Sequence, residues 1–95
     1  MATIDIYYAQ MCGSCHTAMD YFTGRGIPFN AHEVKWDAEA GEFEDSETSR
    51  EMYRRCGKKV DVVPQIFING KHVAGWRGLE SLIESGELDE MIKEA

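Results

Sequence analysis

The chain has 95 residues, of which 43% are hydrophobic and 28% charged, a composition typical of one small globular domain rather than of a disordered chain. Its formal net charge of −7 would repel phosphate groups and anionic lipids, which argues against nucleic acid or a membrane surface as partner. No stretch reaches the roughly 20 apolar residues that span a bilayer, and the N-terminal residues do not resemble a signal peptide. We therefore expect a single, monomeric, cytoplasmic domain over residues 1–95.

The first third of the chain predicts a strand, a helix and a second strand. Residues 4–8 are an apolar run typical of a strand, and residues 14–23 carry apolar side chains at helical spacing before Gly24 ends the pattern. Residues 29–34 form a second extended run. A β-α-β start implies a parallel pair of strands joined by a right-handed crossover.

The middle of the chain predicts a loop, a helix and a hairpin. Residues 35–47 are acidic and are expected to form a loop that leads into a helix ending near Gly57. Residues 65–68 are strand-like, and Asn69-Gly70 is a strong hairpin signal before a return strand at 71–74. The hairpin adds an antiparallel edge to the sheet.

The last third predicts a turn and a broken helix. Gly75 and Gly78 are expected to bracket a turn, and apolar residues from Leu79 to the C-terminus keep helical spacing with one interruption. The predicted order is therefore βαβαββα, and no internal repeat is visible.

Cys12 and Cys15 lie where the first strand passes into the first helix. This position would place Cys12 at the N-terminus of the helix and Cys15 one turn further on the same face, so that the two can form a disulfide. In a reducing compartment such a pair is more often catalytic or metal-binding than structural. The spacing predicts redox chemistry.

Two motifs together carry a resemblance to a known family. The segment Cys-Gly-Ser-Cys-His at 12–16 follows the first strand, and Val-Val-Pro-Gln-Ile-Phe-Ile-Asn-Gly occupies 62–70. With the turn that starts at Gly75, this arrangement resembles the thioredoxin superfamily and, within it, the glutaredoxins, over nearly the whole chain. The resemblance implies an α/β, thioredoxin-like fold with a four-stranded mixed sheet and helices on both faces. It also implies a thiol-disulfide oxidoreductase that reduces protein or glutathione mixed disulfides.

The resemblance assigns roles to four residues. Cys12 is expected to be the nucleophile, because backbone N–H groups and the dipole at a helix N-terminus can lower a thiol pKa from about 8.5 to roughly 3.5–7.5. Cys15 is expected to resolve the mixed disulfide that Cys12 forms. Pro64 should follow a cis peptide bond that faces the two sulfurs, and Val63 should offer its backbone to the substrate chain.

Glutathione is the co-substrate that the resemblance implies, although several positions depart from the family pattern. Ala9 stands where glutaredoxins commonly have a lysine that meets a glutathione carboxylate, and the Gly-Ser spacer replaces Pro-Tyr. Gly75, Trp76 and Arg77 occupy the expected substrate-binding turn, where an aromatic residue and a cation stand in place of the usual amine-binding aspartate. We therefore expect glutathione to be a mediocre reductant. Three residues are candidates to replace the lost positive charge: Arg50, Lys58 and Lys59.

Two alternative functions remain open at this stage. The segment Gly75-Trp76-Arg77 is similar to the Gly-Phe-Arg turn of NrdH-type redoxins, which take electrons from thioredoxin reductase and pass them to ribonucleotide reductase. Some glutaredoxins without proline in the motif bridge a [2Fe-2S] cluster between two protomers through the first cysteine and glutathione. A zinc site is not predicted, because Cys56 and His16 do not complete the paired spacing of such a site.

Other conspicuous side chains have simple structural explanations. Cys56 is expected to be a small, half-buried hydrophobic residue, and His16 to face solvent unless it transfers protons. Trp76 is expected either to cover the core or to form a lip that faces the substrate. Trp36 and Phe43 are expected to fasten the acidic stretch to the body, and that stretch is a candidate for influencing partner choice.

Overall fold

A computed structural model describes residues 2–93 and extends the predicted element order by one small hairpin. The elements in chain order are β1 (Ile4–Tyr8), α1 (Gly13–Gly24), β2 (Asn30–Glu33), β3 (Trp36–Asp37), β4 (Glu42–Phe43), α2 (Glu47–Cys56), β5 (Gln65–Ile68), β6 (Lys71–Ala74), α3 (Gly75–Ser85) and α4 (Glu87–Lys93). Within residues 2–93, none of these helices combines the length and apolarity needed to cross a membrane. The predicted pattern at residues 1, 94 and 95 lies outside the described residues.

The main sheet has four strands in the order β2-β1-β5-β6. β1 runs parallel to β2, whereas β5 is antiparallel to both β1 and β6, so the predicted mixed sheet is confirmed. Tyr7 of β1 pairs with Gln65 of β5. The chain that follows β1 and the chain that precedes β5 therefore lie at the same end of the sheet. This end carries both the Cys12 and the Pro64 motifs.

Side chains alternate between the two faces of the sheet, as expected for strands that are covered on both sides. One face packs against α1, α3 and α4 through the buried residues Ile4, Ile6, Ala18, Phe22, Ile66, Ile68, Val73, Leu79 and Leu88. The other face packs against α2 and the small hairpin through Tyr7, Val34, Phe43, Met52 and Phe67. Helices on both faces are thus confirmed.

The expectation of a loop over residues 35–47 is wrong in part, because β3 and β4 form a two-stranded antiparallel hairpin there. Trp36 and Phe43 are paired across it with ring centroids 4.9 Å apart in an edge-to-face arrangement. Asp37 Oδ1 accepts hydrogen bonds from two backbone N–H groups of the connecting turn, and Gly41 takes a φ of 70°. Two-residue strands are too short to show a periodicity in sequence.

The predicted turn at residues 75–78 is also wrong, because α3 begins directly after β6 at Gly75. Gly75 has a φ of 67°, which lets the chain change from strand to helix within one residue. A Cβ at Gly78 would lie 3.3 Å from Cγ1 of Val73, so this glycine permits the helix to approach the strand closely. The predicted break in the last helix is confirmed at Gly86, between α3 and α4.

The start of α2 is held by a reciprocal serine cap that also anchors the hairpin. The Ser46 hydroxyl accepts the N–H of Ser49 at 3.0 Å, and the Ser49 hydroxyl oxygen accepts the N–H of Ser46 at 3.0 Å. The Ser49 hydroxyl also donates to the carbonyl of Glu44, at 3.0 Å, just after β4. Because Ser49 is fully buried, no water can replace these bonds.

The substitution Ser49→Ala should lower the free energy of unfolding by about 1–2 kcal/mol, because it removes a helix cap and leaves buried groups without partners. The matched control is Ser81→Ala, which changes an exposed serine inside α3 and should leave stability unchanged or slightly higher. Urea denaturation of both variants checks this prediction. Equal effects of the two substitutions would contradict the role given to Ser49.

Candidate active site

Cys12 is the residue that caps the N-terminus of α1, with an extended backbone at φ −91° and ψ 107°. Its Sγ accepts the backbone N–H of Cys15 at 3.2 Å, and the Ser14 hydroxyl lies 3.5 Å from the same sulfur. The first turn of α1 contains no acidic residue that would compete for the positive end of the helix dipole. The sulfur therefore occupies the position where a helix stabilises an anion.

The two cysteines of the motif differ sharply in acidity. Burial by itself would raise the pKa of Cys12, but hydrogen bonds from Cys15 and Ser14 outweigh it and hold this pKa below that of an ordinary thiol. Cys15 is fully buried, and this burial, together with its hydrogen bond to Cys12, raises its pKa to about 12. The arrangement favours a thiolate on the half-exposed sulfur and a proton on the buried one.

The Val63-Pro64 segment lies directly against Cys12. The peptide bond between these residues is cis, as the resemblance implied, and the Cys12 thiol lies 3.5 Å from the carbonyl oxygen of Val63, to which it donates. The backbone N–H of Val63 donates to no group within residues 2–93. This backbone is consequently available to pair with an extended peptide chain that approaches Cys12.

The beginning of α3 lies beside Pro64. Gln65 of β5 pairs with Ala74 of β6, so that the preceding Pro64 and the following Gly75 are neighbours. Ala74 is the N-cap of α3 and its side chain makes no capping hydrogen bond, which leaves the first backbone N–H groups of the helix without a side-chain acceptor. Exposed Arg77 adds a positive charge to this turn.

Trp76 is partly buried and packs against the core. Its ring packs against Tyr21 of α1 with centroids 6.4 Å apart, and it contacts the core cluster on the α1 and α3 face. This packing confirms that Trp76 covers part of the core, and a substrate-facing role of its exposed part stays a prediction. The first turn of α3 contains Gly75, Trp76 and Arg77, and its backbone N–H groups are the donors that it offers to a ligand.

An apolar groove beside Cys12 was not predicted. It has a volume of about 330 Å³ and is lined by Ala9, Met11, Cys12, Trp36, Phe43, Asp61, Val62 and Val63. Three of these side chains are conspicuously exposed for apolar residues: Met11 at 97%, Val62 at 62% and Trp36 at 45%. The sequence signal was the apolar residue immediately before each motif, Met11 before Cys12 and Val62 before Val63-Pro64. The contribution of Trp36 depends on the hairpin.

Two of the three cations predicted to replace the missing lysine are already paired. Arg50 lies 2.8 Å from Asp45, and Lys59 forms an ion pair with Glu42. Lys58 is exposed, so it is the remaining candidate of the three.

The side chains of Cys56 and His16 form no hydrogen bond with the sulfur of Cys12. Cys56 is half-buried at the end of α2, where burial raises its pKa, and its Sγ is 4.0 Å from Nε2 of His72. His16 is exposed, with Nε2 2.7 Å from the carbonyl of Gln10. Within residues 2–93, no three His, Cys, Asp or Glu side chains are placed to hold a metal ion.

Sequence comparisons place the motif in a wider context. The family model described as Glutaredoxin matches residues 4–73. The chain is similar to Glutaredoxin 3 of Escherichia coli strain K12, with 34% identity over 93 residues that cover 98% of this chain and 100% of that protein. It is also similar to Glutaredoxin-C15 of Oryza sativa subsp. japonica, with 33% identity over 90 residues that cover 95% of this chain and 82% of the other.

Solved structures agree with these relatives. The solution structure of glutaredoxin from Brucella melitensis matches with a TM-score of 0.68 at 32% identity, over 96% of this chain and 88% of that one. The crystal structure of wheat glutaredoxin matches with a TM-score of 0.71 at 25% identity, over 97% and 80% of the two chains. The sequence matches, the shared fold and the position of Cys12 at the start of α1 lead to one conclusion: the chain belongs to the glutaredoxin family, whose members are glutathione-linked thiol-disulfide oxidoreductases.

Proposed function

We propose that this protein reduces protein disulfides and mixed disulfides with glutathione, with Cys12 as the nucleophile and Cys15 as the resolving thiol. The observation that carries the proposal is the contrast between the two sulfurs: Cys12 Sγ accepts a backbone N–H at the start of α1, whereas Cys15 is fully buried. Hydrogen bonds to its sulfur lower the pKa of Cys12, and burial raises that of Cys15 to about 12. The thiolate is the species that attacks disulfides, and here it is the half-exposed sulfur.

The reaction proceeds in two exchanges. The Cys12 thiolate attacks one sulfur of the substrate disulfide, a mixed disulfide forms, and the other substrate sulfur leaves as a thiolate that takes up a proton. Cys15 then gives up its proton and attacks the Cys12 sulfur, so that the bond between Cys12 and the substrate sulfur breaks and the Cys12–Cys15 disulfide forms. The second substrate sulfur leaves as a thiolate and takes up a proton. Two electrons pass from the dithiol to the substrate. Because Cys15 is buried one helical turn away, it keeps its proton until the mixed disulfide has formed.

Val63 supplies the docking edge in this proposal. An extended substrate segment that pairs with the free N–H and the carbonyl of Val63 adds a strand next to Cys12. This backbone pairing orients the disulfide and does not depend on the side chains of the substrate.

Glutathione is proposed as the electron donor. The uncapped start of α3 beside Pro64, together with Arg77, suits a carboxylate. Ala9 contributes no charge, and Arg50 and Lys59 are engaged in ion pairs. None of these three positions therefore adds a second cation to bind a glutathione carboxylate. We therefore propose that glutathione binds weakly and turns over slowly.

The reducing cytoplasm, where thiols are not oxidised, suits a protein with this dithiol. We propose that the chain works there as a single-domain monomer. The comparisons match glutaredoxins and do not specifically support the thioredoxin-reductase pathway or a bridged cluster, so neither is proposed.

In reduced protein at pH 6, Cys12 should react with iodoacetamide at least about tenfold faster than Cys15, since each pKa unit changes the thiolate fraction tenfold. The Cys12 rate should rise with pH through a midpoint below that of a free thiol. Mass spectrometry of peptides after short exposure measures both, with half-buried Cys56 as an internal reference. Equal rates for Cys12 and Cys15 would overturn the assignment.

Replacing the Ser14 hydroxyl tests the cause of the lowered pKa. Ser14→Ala should shift the midpoint of Cys12 alkylation to higher pH, because a hydrogen bond to the anion is lost. The matched control is Thr17→Ala, whose hydroxyl donates to the carbonyl of Gly13 and does not contact the sulfur. If the pH midpoint of Cys12 alkylation is unchanged in Ser14→Ala, the Ser14 hydrogen bond is not a cause of the lowered Cys12 pKa.

The variant Cys15→Ser should accumulate a mixed disulfide between Cys12 and glutathione when it is incubated with oxidised glutathione, since nothing resolves the first exchange. Intact-mass measurement detects the adduct, and a reducing agent should remove it. Cys12→Ser should show no adduct at this site. If Cys15→Ser gives none either, the two-step mechanism fails.

The electron donor is identified by offering the oxidised protein either glutathione with glutathione reductase or thioredoxin reductase alone, each with NADPH. We expect turnover with glutathione and none with thioredoxin reductase. Ala9→Lys should increase the catalytic efficiency with glutathione by about tenfold, because the added ammonium group can pair with a glutathione carboxylate. Arg77→Ala should decrease it, whereas exposed Lys71→Ala on β6 should not. Turnover with thioredoxin reductase alone would contradict the proposed donor.

A further inference from the structure

The apolar groove beside Cys12 is built from three separate parts of the chain. Met11 precedes the nucleophile, Val62 precedes the Val63-Pro64 segment, and Trp36 is supplied by the β3–β4 hairpin. Cys12 lines the same groove. A disulfide substrate can therefore place a side chain in the groove and its disulfide sulfur next to Cys12. The groove is continuous with the active site.

Trp36 is held in place although it is half-exposed. Its ring stands edge-to-face on buried Phe43, and the backbone N–H of Glu44 donates to the carbonyl of Lys35 at 2.8 Å across the base of the hairpin. The Ser49 hydroxyl fixes the carbonyl of Glu44 to the start of α2. A pre-positioned tryptophan loses little conformational freedom on binding, which is why such residues often anchor interfaces.

The surroundings of the groove are acidic. Asp61 lines the groove itself, and an adjoining cavity of about 380 Å³, which shares Met11 and Trp36, is lined by Glu33 and Glu44 against the single cation Lys35. None of these three carboxylates forms an ion pair within residues 2–93. The rim therefore attracts positive charge and repels the carboxylates of a small anionic thiol such as glutathione.

The groove and the start of α3 flank Cys12 from opposite edges of the sheet. The hairpin follows β2 at one edge, and α3 follows β6 at the other, with β1 and β5 between them. A disulfide that joins a protein to glutathione has two unlike halves. The carboxylate-binding turn of α3 suits the glutathione half, and the apolar, acidic groove suits the protein half.

We propose that this groove selects the protein substrate: it accepts a segment with a large apolar side chain next to the disulfide cysteine and a basic residue beyond it. The proposal rests on the proposed function, because Cys12 must attack the disulfide to which that segment belongs. The apolar side chain is buried against Trp36 and Val62, and the basic residue meets Asp61 and the neighbouring carboxylates. Electrostatic attraction speeds the encounter, and apolar burial orients the sulfur.

The test uses reduced full-length protein and peptides with one cysteine, held as a mixed disulfide with 5-thio-2-nitrobenzoate. Cys12 attacks the peptide sulfur, the peptide–Cys12 disulfide forms, and the coloured thiolate leaves, so absorbance reports the rate. Four peptides combine leucine or serine on both sides of the cysteine with arginine or glutamate outside them. Hydroxyethyl disulfide, which offers neither feature, reports the proposed activity itself.

We expect the leucine–arginine peptide to react about tenfold faster than the serine–glutamate peptide, near the lower limit for one apolar contact in a pocket. In Trp36→Ala the ratio of leucine to serine peptides should fall to within about twofold. Asp61→Lys should reduce the ratio of arginine to glutamate peptides, and so should high salt. The matched control Glu84→Lys, an exposed charge reversal on α3, should keep both ratios.

Each failure has a separate meaning. If wild-type protein reduces hydroxyethyl disulfide but all four peptides react equally, the selection proposal is overturned and the proposed function stands. If hydroxyethyl disulfide is not reduced, the proposed function fails and the selection proposal fails with it. Thermal unfolding shows whether Trp36→Ala is folded, and Val62→Thr, which changes one methyl group to a hydroxyl, provides a second variant. Unchanged leucine-to-serine ratios in both variants also overturn the proposal.

Discussion

The hydrogen bond from the N–H of Cys15 to the sulfur of Cys12 joins the fold of this protein to its chemistry. A helix needs an acceptor at its N-terminus, and here the acceptor is a sulfur instead of the usual side-chain oxygen. A thiolate accepts this bond better than a thiol, so the same contact stabilises the helix and the reactive anion. The stability that the thiolate contributes is fully present above the ordinary thiol pKa and is lost as the pH falls through the lowered pKa of Cys12.

The amphipathic character of α1 makes two neighbouring cysteines chemically different. Ala18 and Phe22 turn toward the sheet, and Cys15 lies on the same buried side, whereas Cys12 stays at the open end of the helix. Burial then raises the pKa of one thiol, while helix N–H groups lower that of the other. Packing of a single helix thereby assigns the order in which the two sulfurs react.

The sheet places two unlike surfaces on either side of this pair. At one edge, α3 begins with uncapped N–H groups and an arginine. Toward the other edge, the hairpin supplies Trp36 to an apolar groove with an acidic rim. The first surface has the chemistry of a carboxylate site, and the second has the chemistry of a protein-binding site. The proposed preference for basic protein segments agrees with the net charge of −7 and with the acidic rim of the groove.

The sequence by itself determined the features that depend on neighbouring residues. The apolar strands, the position of Cys12 before a helix, and the hairpin at Asn69-Gly70 follow from local patterns, and both turn residues take the positive φ that this dipeptide favours. The prediction of a cis peptide bond before Pro64 depended on the family resemblance, since the local sequence pattern alone does not determine it. Only the tertiary structure decided that residues 75–78 are helical, that Arg50 and Lys59 form ion pairs with carboxylates, and that Trp36 lines the same groove as Cys12. Lys59 and Glu42 are 17 residues apart, and Trp36 lines one groove with Met11 and Val62, so no short window of sequence contains these partners. Arg50 and Asp45 are close in sequence, and α3 follows β6 directly, but a short window does not show which side chains pair or that the helix begins without a turn.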